Sequence, residues 1–166
     1  MPTDPACAVP AGVRRPARAG PVRRPARAGP SYARGVIVVV DLANVLGSRP
    51  DGWWQDRAAA AGRLLDRLAR LPGTEVAGPR GDVVAIDRLI TVVEGAARAI
   101  PAPAGSGAVE VVRAVRDGDS AIVALVDDLV GAVGVLVVTA DRGLRQRLPT
   151  SVPIAGPNWL NKLIDR

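Results

Sequence analysis

Residues 36–40 read Val-Ile-Val-Val-Val, five β-branched side chains with no polar interruption. A strand with one face in water would alternate apolar and polar residues. An unbroken apolar run is instead the pattern of a parallel strand covered by helices on both faces. The run ends directly on Asp41, and Asn44 follows three positions later. Parallel strands need crossover connections, so a chain built around this segment must alternate strands with helices.

The rest of the sequence supplies that alternation. Leu64, Leu65, Leu68 and Leu71 fall at helical spacing and predict a helix over about 53–71. Pro and Gly mark 71–82 and 101–107 as loops. Residues 83–90 are ambiguous by pattern and are read as a short helix leading into a strand, Ile-Thr-Val-Val-Glu-Gly. A strand is expected over 108–115. A helix over about 120–130 follows, with Ile122, Leu125, Val126 and Leu129 on one face. Residues 134–141, Gly-Val-Leu-Val-Val-Thr-Ala-Asp, form the clearest strand after the first. A short basic helix, a last short strand (Val-Pro-Ile-Ala-Gly) and a helix opened by Pro157 close the chain. The expected architecture is α/β, with helices on both faces of a parallel sheet.

Two segments differ sharply in charge. Before Gly35 there are seven Arg and one acid, Asp4, which accounts for the whole net charge of +6. The remainder carries 15 basic and 15 acidic residues. Residues 1–34 also contain a perfect tandem repeat, Val-Arg-Arg-Pro-Ala-Arg-Ala-Gly-Pro at 13–21 and again at 22–30. Such Pro, Gly and Arg density cannot bury a core. The expected organisation is therefore a disordered tail over 1–34 and one domain over 35–166. The tail reads either as a basic arm for phosphates or as a duplication without a role.

Composition excludes much chemistry. The chain has no histidine, so there is no imidazole base and no His-ligated metal. Its lone Cys7 rules out a disulfide framework or a thiolate zinc site. No stretch approaches the roughly 20 apolar residues that cross a bilayer. Nor does the N-terminus have an apolar signal core, so the expectation is a soluble, cytoplasmic protein without a membrane partner. No phosphate loop or dinucleotide glycine fingerprint follows the first strand. A phosphoaspartyl hydrolase would carry a second Asp where Ala43 stands. A receiver domain would need a Lys near the end of a late strand, but the only Lys is Lys162.

Acids recur at the strand ends. Asp41 ends the first strand and Glu94 the second; Asp117 and Asp119 follow the third; Asp141 ends the fourth. In a parallel sheet these ends share one edge, where ligands bind. Each acid also has a local reading. Asp119 and Asp141 precede helices and could cap them, Asp41 could open an Asx-turn, Glu94 could be a solvated loop residue, and Asp117 fits a plain turn. Adjacent strands lie about 4.8 Å apart. Carboxylates gathered on neighbouring ends would repel one another unless a cation intervened. A hard, oxygen-seeking ion such as Mg²⁺ suits that arrangement.

These segments, Val-Val-Val-Asp-Leu-Ala-Asn-Val, Thr-Val-Val-Glu-Gly-Ala, Asp-Gly-Asp-Ser-Ala-Ile-Val-Ala-Leu and Val-Leu-Val-Val-Thr-Ala-Asp-Arg-Gly-Leu-Arg-Gln-Arg-Leu, stand in order. With them, residues 36 to about 160 resemble PIN-like nucleases, in particular the NYN-domain branch that includes the YacP-like RNA-processing proteins. The resemblance implies a three-layer fold with about five parallel strands in the order 3-2-1-4-5. It implies Mg²⁺- or Mn²⁺-dependent hydrolysis of RNA phosphodiesters by in-line attack, leaving a 5′-phosphate. It assigns Asp41, Asp119 and Asp141 to the metal site and makes Asn44 an orienting or substrate-contacting residue. Glu94, where many relatives carry Asp, would position the attacking water or a second ion.

Arg142 and Arg49 are candidates to hold phosphate. Arg145 and Arg147 read first as a solvated helix face. Trp53 and Trp54 read first as packing residues and second as a stacking surface for an unpaired base. Trp159 is expected to dock the last helix. The expected partner is single-stranded RNA, with a homodimer or a protein partner left open. Two other functions remain: nucleotide pyrophosphohydrolysis, which also uses clustered acids with Mg²⁺, and a non-catalytic RNA- or partner-binding module on the same fold. Deleting residues 1–34 should leave cooperative thermal unfolding intact; its loss would show that the boundary is misplaced.

Overall fold

The computed structural model describes residues 35–49, 52–99, 109–131 and 134–165. The expectations for the 1–34 tail and the 101–107 loop lie outside the described residues. The remaining chain folds into six strands and five α-helices: β1 (Val36–Asp41), α1 (Leu42–Gly47), α2 (Arg57–Leu68), β2 (Thr74–Ala77), β3 (Val83–Val93), β4 (Val109–Arg113), α3 (Gly118–Leu129), β5 (Gly134–Val138), α4 (Arg142–Arg147), β6 (Ile154–Ala155) and α5 (Pro157–Ile164). A 3-10 turn, Gly95–Ala99, follows β3.

β1 is central. It pairs in parallel with β3 on one side and with β5 on the other. β3 also pairs in parallel with β4, and β5 with β6. The five parallel strands therefore run β4-β3-β1-β5-β6, the order 3-2-1-4-5 expected of them. The uninterrupted apolar run of β1 has the predicted consequence, because both its faces are covered. Val36, Val38 and Val40 join a core with α1, α2 and α5. Ile37 and Val39 join a second core with Ile122 and Val126 of α3 and Leu144 of α4. This is a three-layer α/β/α arrangement. No helix among the described residues is long and apolar enough to cross a membrane.

Four local expectations need correction. Residues 83–90 are not helical; they are the first part of the long β3. Val83 is exposed and Val84 and Ile86 are buried, so the stretch has strand periodicity. It reads poorly because only one face is buried there, whereas Leu89–Val93 is buried throughout. The supposed loop over 71–82 contains β2, which pairs antiparallel with Val83–Ile86. The Pro and Gly that signalled a loop make the hairpin turn instead. Gly78 N–H donates to the Asp82 carbonyl at 2.7 Å, and Gly81 takes a left-handed φ of 83°. The helix expected from 53 begins only at Arg57, because Asp56 caps it through the Ala59 N–H at 2.9 Å. Finally, Asp41 opens a two-turn helix, α1, rather than an isolated turn.

Because β1 and β5 form the centre of both cores, Leu136→Ala on β5, which is 1% exposed, should cost about 2–5 kcal/mol. The check is a lower urea midpoint with an unchanged m-value.

Candidate functional site

The parallel pairing of β1, β3 and β5 brings their carboxyl ends to one edge. Asp41 is the last residue of β1, and Glu94 immediately follows β3. Asp141 stands between β5 and α4, and Asp119 lies in the first turn of α3. All four line one cleft of about 520 Å³, together with Asn44 and Ala140. The structure therefore brings together every acid predicted for the site.

Asp41 is the most constrained. Its Oδ1 accepts the Asn44 N–H at 3.1 Å and caps α1, and its Oδ2 accepts the Thr139 hydroxyl at 2.9 Å. The Thr139 hydroxyl also accepts the Asp141 N–H at 3.0 Å. Asp141 in turn caps α4 through the Leu144 N–H at 2.8 Å. Asn44 ties the same two segments together, its side-chain oxygen accepting the Ala140 N–H at 2.9 Å. Its orienting role is thus exerted by the backbone N–H on Asp41 and by the side chain on the chain leading to Asp141.

Glu94 is held across the site by the Gly118 N–H, at 2.7 Å from Oε2. A side chain at 118 would obstruct this, since a Cβ there would sit 3.0 Å from that oxygen. A side chain at 118 would therefore push the Glu94 carboxylate by a few tenths of an ångström. Asp117 caps α3 through the Ser120 N–H at 2.7 Å, and its pKa is lowered mainly by hydrogen bonds from Ser120. It does not line the cleft. The capping considered for Asp119 thus falls to Asp117, and the Asp119 carboxylate accepts no hydrogen bond among the described residues.

The electrostatics follow from this geometry. Burial raises the pKa of Asp41; the Asn44 and Thr139 hydrogen bonds oppose the rise, and the charges of Asp119 and Glu94 add to it. Asp119 is raised by burial and then by the charge of Asp141, with Arg147 opposing. No three of these side chains, among the described residues, stand close enough to form a ready-made metal cage. The donor set is nonetheless all oxygen, and Asp119, Asp141 Oδ2 and Glu94 Oε1 accept no hydrogen bond from described residues. Such donors match a hydrated Mg²⁺ or Mn²⁺, which keeps several waters and takes one or two carboxylates directly.

The arginines are distributed differently from expectation. Arg49 does not line the cleft. Its guanidinium donates to Asn161 Oδ1 at 3.0 Å and pairs with Asp165 at 3.1 Å, fastening α5 to the end of α1. Arg142 is exposed at the start of α4 and also lies outside the cleft lining. Arg147, read as a plain solvated residue, donates to Ser120 Oγ at 3.0 Å and bears electrostatically on Asp119. Trp159 docks α5 as expected, donating to the Ala77 carbonyl at 2.8 Å. Sequence reasoning missed Thr139 and Gly118, and read Arg147 first as part of a solvated helix face. Thr139 had a signal: it is a hydroxyl at the end of an apolar strand, two residues before an acid.

The fold and the cleft define a class, a three-layer α/β/α fold with carboxylates gathered at the carboxyl edge of its sheet. The crystal structure of a variant of Rae1 (YacP) from Bacillus subtilis superposes on this chain with a TM-score of 0.55, at 17% identity, over 78% of this chain and 74% of that one. The fold is therefore YacP-like. No protein-family model and no curated protein matches the sequence.

The raised pKa values carry a sign. A carboxyl whose folded pKa lies above its ordinary value of 3.8 holds its proton more tightly when folded. The stability it contributes is full below about pH 4 and is lost as the pH rises through the folded value. Asp119→Asn removes one such group. Its melting temperature should exceed that of the wild type at pH 7 in low salt, and the gap should close towards pH 4. A gap that widened on acidification would contradict the assignment of burial and repulsion at Asp119.

Proposed function

We propose that this protein is a metal-dependent ribonuclease that hydrolyses phosphodiester bonds of single-stranded RNA in the acidic cleft. The observation that carries the proposal is the convergence of Asp41, Glu94, Asp119 and Asp141 on one cleft, with Asp119 accepting no hydrogen bond from the described residues. The YacP-like fold and the family resemblance of the four segments support the choice of RNA.

On this reading Asp41, Asp119 and Asp141 hold Mg²⁺ or Mn²⁺, directly or through water. When bound there, such an ion would supply a lowered pKa for a water and neutralisation of charge on a phosphate. Asp41 is pre-oriented by Asn44 and Thr139, so little reorganisation is needed at that carboxylate. Glu94, fixed through Oε2 by Gly118, uses Oε1 to orient the attacking water and accept its proton. No histidine is available for that task, and Glu94 Oε1 is a carboxylate oxygen of the cleft that accepts no hydrogen bond from described residues.

The test compares the wild type with Asp41→Asn and Asp119→Asn on single-stranded RNA with Mn²⁺. Asn at 41 can still cap α1 but its amide nitrogen cannot accept the Thr139 hydroxyl, so the melting temperature of Asp41→Asn is measured beside its activity, and Asp119→Asn, which breaks no hydrogen bond to described residues, is the second variant. Each substitution should lower the cleavage rate by about 10²–10³-fold, the scale of losing one group that stabilises developing charge. Mn²⁺ should raise the melting temperature of the wild type more than that of Asp119→Asn. A wild type that cleaves RNA no faster than these variants would sink the ribonuclease reading, and pyrophosphate release from NTPs would replace it with nucleotide hydrolysis.

A further inference from the structure

We infer that a second groove, next to the acidic cleft, is a subsite for one unpaired nucleobase of the RNA strand whose phosphodiester enters that cleft. The inference deepens the ribonuclease reading and rests on it for the identity of the strand. The groove has a volume of about 380 Å³ and shares Ala43 and Glu94 with the acidic cleft, so one ligand can span both. Its apolar lining comes from Leu42, Leu46 and Val93, its aromatic wall from Trp53, and its cationic groups from Arg57 and Arg116.

Three features favour a nucleotide over a purely apolar ligand. Trp53 is only partly buried and belongs to the groove, whereas Trp54, which meets it edge-on at 6.3 Å and 84°, is 59% exposed and does not line it. The Trp53 indole is restrained by this edge contact and carries the Arg57 guanidinium over its ring, so a base in the groove would stack against the indole–guanidinium pair. The Arg57 guanidinium lies 5.2 Å from the Trp53 ring centroid, so a cation and an aromatic surface are presented together. Neither Arg57 nor Arg116 is paired with a carboxylate among the described residues, so both guanidinium groups are available to phosphate oxygens. An unpaired nucleotide brings a π-face to the indole and an anion to the arginines. Duplex RNA would keep its bases stacked inside and could not fill the groove.

The experiment measures binding of labelled RNA by fluorescence anisotropy to the full chain in EDTA, where no metal-dependent cleavage occurs. One ligand is a short single-stranded oligonucleotide, a second is the same ribose-phosphate chain without bases, and free AMP is the competitor. Trp53→Leu keeps apolar bulk and removes the π-surface. It should raise the Kd for intact RNA about tenfold, within the range for stacking one base, and change the Kd for the abasic chain less than about twofold. Trp53→Phe should restore most of the loss. Arg57→Gln with Arg116→Gln should make the slope of log K against log salt shallower by about 1.4, from about 0.7 per phosphate contact on a single strand. Both arginines are exposed, so this pair tests the subsite even if Trp53→Leu fails to fold. Equal loss on intact and abasic chains, no loss on either, or no RNA binding at all would overturn the subsite. AMP competing as tightly as the oligonucleotide would overturn its assignment to RNA. Base-dependent binding without metal-dependent cleavage would sink the ribonuclease reading alone. Cleavage with base-independent binding would sink the subsite alone.

Discussion

The hydroxyl of Thr139 is the contact on which the site depends. It is fully buried, donates to Asp41 and accepts from the Asp141 N–H. A buried carboxylate is costly unless its oxygens are hydrogen-bonded. Asp41 is buried at the end of the central strand, and Thr139 together with the Asn44 N–H supplies what it needs. Because the same hydroxyl fixes the Asp141 backbone, the end of β1 and the start of α4 cannot move independently. Asn44 repeats the device one residue earlier on the opposite segment, at Ala140. Valine at 139 would match the shape of threonine and supply neither the donor nor the acceptor.

The acids at the sheet edge have separate roles, and the separation follows from where helices begin. Asp41, Asp117 and Asp141 each accept a backbone N–H from a helix start, which satisfies groups that the helix itself leaves free. Glu94 accepts the N–H of Gly118, also in the opening turn of α3. Asp119 is the exception. It sits in the first turn of α3 among like charges, with the charge of Arg147 opposing them. Capping and ligand binding are not competing explanations at this edge. Capping uses one oxygen of Asp41 and Asp141 and fixes the direction in which the other points. Thr139 then holds that second oxygen of Asp41, while the second oxygen of Asp141 is left facing the cleft.

Much of this was legible in the sequence because parallel strands write their burial plainly. The run at 36–40 announced a strand covered on both faces, and the acids at successive strand ends announced a common edge. The 83–90 segment was not legible because it changes environment along its length, half-buried against β2 and then fully buried against β1 and β4. The capping reading weighed for Asp119 belongs to Asp117 two residues earlier, since the two are equally good caps by type. Arg49 was misread because its partners, Asn161 and Asp165, lie more than a hundred residues away in sequence and only the fold brings them close. Long-range pairing of that kind leaves no local pattern.

The charge balance constrains how a nucleic acid could be held. Beyond residue 34 basic and acidic residues are equal in number, so net charge supplies no general attraction for RNA. Within the domain, attraction must come from local segregation, and the two adjoining hollows have opposite character. The cleft presents four carboxylates, and the groove beside it presents Arg57 and Arg116 around an apolar, indole-walled space. A phosphodiester approaching the cleft alone meets charge of its own sign. On the proposed reading a cation must therefore neutralise the cleft before a phosphate can sit there, while a flanking nucleotide can enter the groove without it. Glu94 lies on the boundary and lines both spaces. The Gly118 N–H draws one of its oxygens towards the start of α3.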